Sequence, residues 1–306
     1  MLLRPDLADA QREPGPMNAT KITFFMIVTD RDIVIADYGV RSFAKIKDIP
    51  FKLLVYSNWV SSYLKRRYFP AWREFHFVEI LEYEWQTDDN KPTDPKLWGP
   101  FELGYTIWDR ELRKIQTPYY ATVDADFEIL DAKFIPVMLA QLDADPNLVA
   151  MSTDYSPRNP MHYDSFSDEV ICLNERWPTW FCIYKRAAQQ CTVSHEYYEE
   201  ITSARVRRSA WDDAGYFQKA LKDIYGYELA VLDPKYQRCF IHYGAFSQNR
   251  HLDDSNIALY RRLQILRKIG LFGTGDTFTR KFAGLVNRLV FPVVDRRTFL
   301  PGWSKR

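Results

Sequence analysis

The sequence predicts an α/β protein with a doubly wound, mostly parallel sheet and a C-terminal helical extension. Nearly continuous apolar runs end at polar residues, and the stretches between them show helical periodicity. Such runs are typical of strands that are buried on both faces of a parallel sheet. Their alternation with helices indicates βαβ units. The 306 residues are enough to bury one large core.

The individual elements follow from these patterns. Predicted strands cover residues 22–29, 52–56, 75–80, 119–123, 148–151, 179–184 and 228–232, and predicted helices cover 32–47, 59–67, 101–116, 134–141 and 212–225. Ligands of a doubly wound sheet bind beyond the carboxyl ends of its strands. Polar residues that directly follow a predicted strand are therefore the first candidates for a site.

The strongest chemical signal is a pair of acids at the end of a mid-chain strand. The run Tyr119–Val123 leads directly into Asp124-Ala125-Asp126. Carboxylate oxygens bind hard divalent cations, and such a cation can neutralise the charge that builds on a leaving diphosphate. A strand end that is merely acidic is the alternative. The apolar strand before the pair favours a metal site.

Two later motifs carry further candidates. Asp212 and Asp213 open a predicted helix, and a carboxylate there can accept the proton of an attacking hydroxyl or cap the helix. Both interpretations stay open. His242 follows a late apolar stretch and precedes Gly244. A neutral imidazole is a common ligand of Mn-like ions, although a lone histidine can also be structural.

In kind and order, these motifs resemble those of the GT-A glycosyltransferases over about residues 21–250. The shared features are a Rossmann-like first half, the DxD motif, and an acidic pair at a late helix. The resemblance implies that Asp126 ligates Mn or Mg and that Asp124 contacts the donor ribose or the metal shell. It also implies that Asp213 is the general base of an inverting reaction and that His242 completes the metal site.

The same resemblance suggests where donor and acceptor bind. By location, Thr29, Asp30 and Asn58 match the nucleotide contacts that follow the first two strands, and Arg110 can reach the diphosphate. Residues 56–59 lack the short acidic segment that inverting members of family 2 usually have there, which leaves the nucleobase open. Trp177 and Trp180 lie where the family places its acceptor contacts. Since indole faces stack on sugar rings, either residue could form a wall of the acceptor site.

The expected activity is transfer of a sugar from a nucleoside diphosphate donor to a glycan or lipid-linked acceptor, as in polysaccharide biosynthesis. One alternative is a haloacid-dehalogenase-like, Mg-dependent phosphohydrolase, whose DxD motif normally follows the first strand; here three predicted strands precede it. Another is an inactive glycan-binding relative. The acidic body disfavours nucleic acid as a partner.

The two ends of the chain differ from its body. Residues 1–20 are predicted to be a flexible tail, 21–255 the catalytic domain, and 256–306 a basic amphipathic extension. Residues 261–306 hold eleven Lys or Arg against two acids. This surplus suggests an anionic membrane surface as a partner, while docking on the body is the alternative.

Four cysteines without a CxxC pair, and no signal-like segment, predict a cytoplasmic protein or one peripheral to the inner face of the cytoplasmic membrane.

Overall fold

The computed structural model describes residues 19–58, 60–83, 112–153, 180–191, 215–243 and 254–268. The first half contains β1 (Ile22–Val28), α1 (Ile33–Ser42), β2 (Phe51–Asn58), α2 (Ser62–Arg73), β3 (Val78–Tyr83) and β4 (Tyr119–Val123). The second half contains β5 (Phe127–Ile129), α3 (Phe134–Ala144), β6 (Leu148–Ser152), β7 (Phe181–Lys185), α4 (Gly215–Asp223), β8 (Glu228–Val231), β9 (Phe240–His242) and α5 (Asp254–Lys268).

Seven strands form one sheet in the order β3-β2-β1-β4-β7-β6-β8. Strand β7 is antiparallel to its neighbours β4 and β6, and the other pairs are parallel. The carboxyl ends of β1, β2, β3 and β4 therefore share one edge with the amino end of β7. The predicted α/β class and mostly parallel sheet are confirmed. A separate two-stranded sheet pairs β5 with β9 in antiparallel fashion.

Apolar side chains of the central strand β1 pack on both faces of the sheet, which explains why its sequence is nearly continuously apolar. Phe24 and Met26 belong to a core with residues of α1, α2 and α3. Phe25 lies on the other face, in a core that includes Phe217 of α4. Helices therefore cover both faces, as a doubly wound sheet requires.

Several predicted boundaries were wrong. Helix α2 runs from Ser62 to Arg73 and contains Pro70, whereas the sequence predicted its end at residue 67. Burial of Phe69 and Trp72 overrides the local cost of the proline. Strand β3 begins at Val78 rather than at residue 75. Of the helix predicted over 101–116, the described part contains a short 3₁₀ turn, Leu112–Lys114.

Helix α1 lies unusually close to the segment that follows β4. A Cβ atom on Gly39 would lie 2.8 Å from the carbonyl oxygen of Phe127 and 3.2 Å from that of Ala125. Real Cβ atoms essentially never lie as close to another atom as 2.8 Å. The absence of a side chain at residue 39 thus lets the helix contact the backbone on both sides of Asp126.

Helix α5 spans the predicted boundary between the body and the extension at residue 256. Ile257 is 3% exposed and packs with Ile35 of α1 and Ile241 of β9. Residues 254–268 thus dock on the body. Among the helices that the structure describes, none is long and apolar enough to cross a membrane.

Candidate metal centre

Two carboxylates and one imidazole converge at the edge of the sheet where β4 ends. The ligand atoms of Asp124, Asp126 and His242 all lie within 4.8 Å of one another. His242 Nε2 is 3.3 Å from Asp124 Oδ2 and 3.2 Å from Asp126 Oδ1. The Asp126 side chain is buried, whereas that of Asp124 is 49% exposed. The structure thus brings together the three residues that the sequence suggested as metal ligands and leaves one side open to solvent.

Backbone hydrogen bonds fix this arrangement. The Asp124 amide donates to the Trp180 carbonyl at 3.0 Å, which ties the first acid to the residue before β7. The Tyr243 amide donates to the Asp126 carbonyl at 3.0 Å. In the small sheet, Phe127 pairs with His242. The second acid and the histidine are therefore carried by two adjacent strands.

Trp180 contacts the histidine directly. Its indole stacks on the His242 ring, with the ring centroids 4.5 Å apart and the planes 16° from parallel. The sequence suggested Trp180 as a wall of the acceptor site, and the stacking shows that one indole face instead covers a candidate metal ligand. An acceptor contact through the remaining surface of Trp180 stays a prediction.

The two acids change the protonation of the histidine. Burial lowers the pKa of His242, but the hydrogen bonds to Asp124 and Asp126 and their negative charges outweigh burial and raise the pKa to about 9. At neutral pH a protonated imidazole therefore bridges the carboxylates. Because a ligating imidazole must be neutral, binding of a metal ion at neutral pH would release this proton.

A third carboxylate, that of Asp32, lies within the electrostatic field of the cluster. Burial raises the pKa of Asp32 to about 7; hydrogen bonds from Thr29 oppose this shift, and the charges of Asp126 and Asp124 add to it. The Thr29 amide donates to Asp32 Oδ1 at 2.6 Å. The sequence predicts Asp32 at the start of a helix, where an acid is common. The feature of the sequence that could have indicated a role for Asp32 in the site is its position two residues after Asp30, in the loop that follows β1.

We expect the stability of Asp32→Asn, relative to that of the metal-free wild type, to be higher at pH 8 than at pH 4.5. Between pH 3.8 and about 7, folded Asp32 binds a proton that the unfolded chain has lost. Stability therefore falls as the pH rises through this window, by on the order of 3 kcal/mol between pH 4.5 and pH 8. Asparagine keeps the acceptor for the Thr29 amide and does not ionise. Urea unfolding with a chelator at both pH values measures the effect, and a stability difference between variant and wild type that does not change with pH would contradict it.

The predicted donor contacts lie along the same edge. Thr29 and Asp30 follow β1, and the Asp30 carboxylate accepts a hydrogen bond from the Ser61 amide at 2.5 Å, which joins the loops after β1 and β2. Asn58 ends β2, and its Oδ1 is buried without a hydrogen-bond partner among the described residues. Arg110, Trp177, Asp212 and Asp213 lie outside the described residues, so their roles stay predictions.

The donor atoms of the cluster fit a divalent metal ion. Carboxylates are suited to Mg²⁺ and Mn²⁺, and an imidazole shifts the preference towards transition metals. The half-exposed Asp124 keeps the cluster open to a ligand from solvent. Asp124, Asp126 and His242 therefore form a candidate site for Mn or Mg, with the histidine favouring Mn.

No protein-family model matches the chain, and no curated protein sequence matches it. Several solved structures that it resembles are glycosyltransferases. Mouse xyloside xylosyltransferase 1 is 11% identical with a TM-score of 0.47, and the match covers 69% of this chain and 85% of that one. The galactosyltransferase LgtC, in complex with donor and acceptor sugar analogues, is 11% identical with a TM-score of 0.47, and covers 85% and 99%.

A third similar structure is glucosyl-3-phosphoglycerate synthase from Mycobacterium tuberculosis in complex with Mn²⁺, uridine diphosphate and glucosyl-3-phosphoglycerate. It is 12% identical with a TM-score of 0.46, and the match covers 86% of this chain and 88% of that one. At such identities the likeness concerns the arrangement of the backbone. The chemistry of this chain has to be argued from its own residues.

Proposed function

We propose that the chain is a metal-dependent glycosyltransferase of the GT-A type, which moves a sugar from a nucleoside diphosphate donor to a glycan or lipid-linked acceptor. The cluster of Asp124, Asp126 and His242 at the carboxyl edge of the sheet carries this proposal. Ligands of doubly wound sheets bind at that edge. Acids that are clustered there beside a histidine are suited to hold a cation against phosphate oxygens.

Asp124, Asp126 and His242 would hold the Mn or Mg ion. When bound, the ion would neutralise the negative charge that develops on the departing diphosphate. Trp180 holds the imidazole of His242 in place through ring stacking and shields one of its faces from water. Because the Asp124 side chain is half exposed, the cluster is open to solvent on one side, and the donor would enter from that side.

The donor nucleoside would bind where β1 and β2 end. Support comes from the register of the sheet, in which Val28 pairs with Ser57 and Met26 pairs with Val123. The end of β1 therefore lies between those of β2 and β4, so Thr29, Asp30 and Asn58 lie along the same edge of the sheet as the acidic cluster. The buried Oδ1 of Asn58 could accept a hydrogen bond from the nucleobase or ribose. In this proposal, Arg110 approaches the diphosphate.

Asp213 would remove the proton of the acceptor hydroxyl as its oxygen attacks the anomeric carbon and the sugar–diphosphate bond breaks. Such a direct displacement inverts the configuration of the sugar. Asp212 would assist or cap the helix that follows, and Trp177 with Trp180 would line the acceptor site. A role in polysaccharide biosynthesis at the inner face of the cytoplasmic membrane would follow if the basic residues beyond 268 bind anionic lipid. Docking of residues 254–268 on the body is compatible with that location.

A phosphohydrolase of the haloacid-dehalogenase type is the less suitable alternative. The DxD motif of that class normally follows the first strand of the sheet. Here β1, β2 and β3 precede β4, and the acids follow the fourth of the described strands. The residue after Asp126 is Phe127, which is fully buried, rather than a hydroxyl residue.

A panel of nucleoside diphosphate sugars in a thermal-shift assay tests the proposed function. We expect sugars of one nucleobase to raise the melting temperature with Mn²⁺ and to have no effect after chelation. A ligand at a hundred times its Kd stabilises the folded state by about 2.7 kcal/mol. Stabilisation that is independent of metal, or none with any nucleotide, would contradict the proposal. Stabilisation by glycans alone would instead support an inactive glycan-binding relative.

A further inference from the structure

One arginine connects the C-terminal helix α5 to a buried carboxylate beside the candidate metal centre. Arg261 Nε donates to Glu128 Oε2 at 2.7 Å, and Nη2 of the same guanidinium donates to Oε1. This forked contact is among the strongest and most directional ion pairs in proteins. The Glu128 side chain is 2% exposed. A carboxylate so deeply buried requires a charged partner, because an unpaired charge there is strongly destabilising.

The same carboxylate also binds the strand that carries the histidine. Tyr243 Oη donates to Glu128 Oε2 at 2.6 Å, and Tyr243 directly follows His242. Glu128 lies two residues after Asp126. The trio of Arg261, Glu128 and Tyr243 therefore links β5 to the residue that follows β9, close along the chain to both Asp126 and His242.

Two further contacts fix the guanidinium and the helix that presents it. The Arg261 guanidinium carbon lies 4.5 Å from the centroid of the Tyr38 ring on α1. Ile257, one turn earlier on α5, packs with Ile241 and Tyr243. Because Ile257 anchors the helix and Tyr38 contacts the guanidinium, the Arg261 guanidinium faces Glu128 in one orientation.

The small sheet needs such support. Each of its strands has three residues, and they form three register pairs. An isolated two-stranded sheet is marginally stable in water. Side chains that cross-link β5 and β9 therefore add to the backbone hydrogen bond between Tyr243 and Asp126 in holding Asp126 close to His242.

We propose that Arg261 and Glu128 are positioning residues for the metal ligands Asp126 and His242. The ion pair fixes the two strands of the small sheet and thereby the spacing between the second acid and the imidazole. This inference rests on the proposed metal site and makes α5 a part of that site. The helix at the start of the basic extension then has a function apart from any membrane contact.

Calorimetric titration with Mn²⁺ alone, without nucleotide, tests the proposal. Arg261→Lys keeps the positive charge but loses the planar fork, and Glu128→Gln keeps the shape but loses the charge. Replacement of groups that orient metal ligands typically weakens metal binding by 10–100-fold. We expect the Kd for Mn²⁺ to rise about tenfold in Arg261→Lys and as much or more in Glu128→Gln.

The double variant adds a second expectation. If both residues act as one unit, their effects on the binding free energy are not additive. The Kd of the double variant for Mn²⁺ is then about equal to that of the single variant that binds Mn²⁺ less tightly. Arg41→Lys is the matched control. Arg41 Nε contacts both oxygens of Asp37 at 2.9 Å on α1, and its replacement leaves the Kd unchanged.

Melting temperature and circular dichroism are recorded for each variant. A purely structural role lowers the melting temperature and leaves the Kd measured well below it unchanged, and that result in Arg261→Lys overturns the proposal. If Glu128→Gln does not fold, Arg261→Lys alone decides. A wild-type protein that binds no Mn²⁺ would instead refute the metal site itself, so the two failures are distinguishable.

Discussion

We expect replacement of Asp126 by alanine to abolish Mn²⁺ binding and to slow sugar transfer by about a thousandfold or more. The Asp126 side chain is 10% exposed and lies 3.2 Å from the His242 imidazole, so its loss removes the buried acidic ligand. A metal ion contributes several kcal/mol to stabilising developing charge, and about 4 kcal/mol corresponds to a thousandfold change in rate. Calorimetry with Mn²⁺ and a nucleoside diphosphate, together with a transfer assay, measures both effects.

Asp131→Ala is the matched control for this experiment. Asp131 follows β5 closely, is half exposed and pairs with Lys133, whose Nζ lies 2.9 Å away. Its removal should leave metal binding and transfer unchanged. If Asp126→Ala bound a nucleoside diphosphate with Mn²⁺ as tightly as the wild type, the acids would not form the donor site.

We expect substitution of Asp213 by asparagine to slow transfer strongly and to spare donor binding. Asparagine has the shape of aspartate and can still cap a helix, but it cannot accept a proton from the acceptor hydroxyl. General base catalysis typically contributes about 10²–10⁴-fold to a rate. The measurement is kcat for transfer beside the metal-dependent Kd of the nucleoside diphosphate.

Asp212→Asn separates the two interpretations of the acidic pair. If Asp213 is the base, Asp212→Asn retains most of the turnover, because the neighbouring carboxylate remains. Normal turnover in Asp213→Asn would exclude Asp213 from the mechanism. A loss of turnover in Asp212→Asn alone would transfer the role of base to Asp212.

The main sheet was largely predictable because burial leaves a local signal. Strand β4 was predicted with its observed bounds, Tyr119–Val123, and β1 to within one residue. Apolar runs of this kind arise when helices cover both faces of a strand. The antiparallel direction of β7 leaves no such signal, because the pattern of one strand does not record the direction of its neighbour. Strands β5 and β9 are three residues each and too short to show periodicity.

The candidate site was predictable where it depends on position along the chain. Asp124 and Asp126 follow a buried strand, and the order of motifs suggested His242. Contacts between distant segments were not predictable. Arg261 and Glu128 are 133 residues apart, and the raised pKa of Asp32 depends on burial beside acids that lie far away in the sequence.

Gly39 bears on how the metal centre forms. With only a hydrogen atom between α1 and the carbonyls of Ala125 and Phe127, the helix surface is a rigid template for the turn that contains Asp126. That turn therefore takes its shape when the domain folds, and an arriving cation has little backbone entropy left to remove. Preorganisation of this kind preserves binding free energy that would otherwise be spent on ordering the loop.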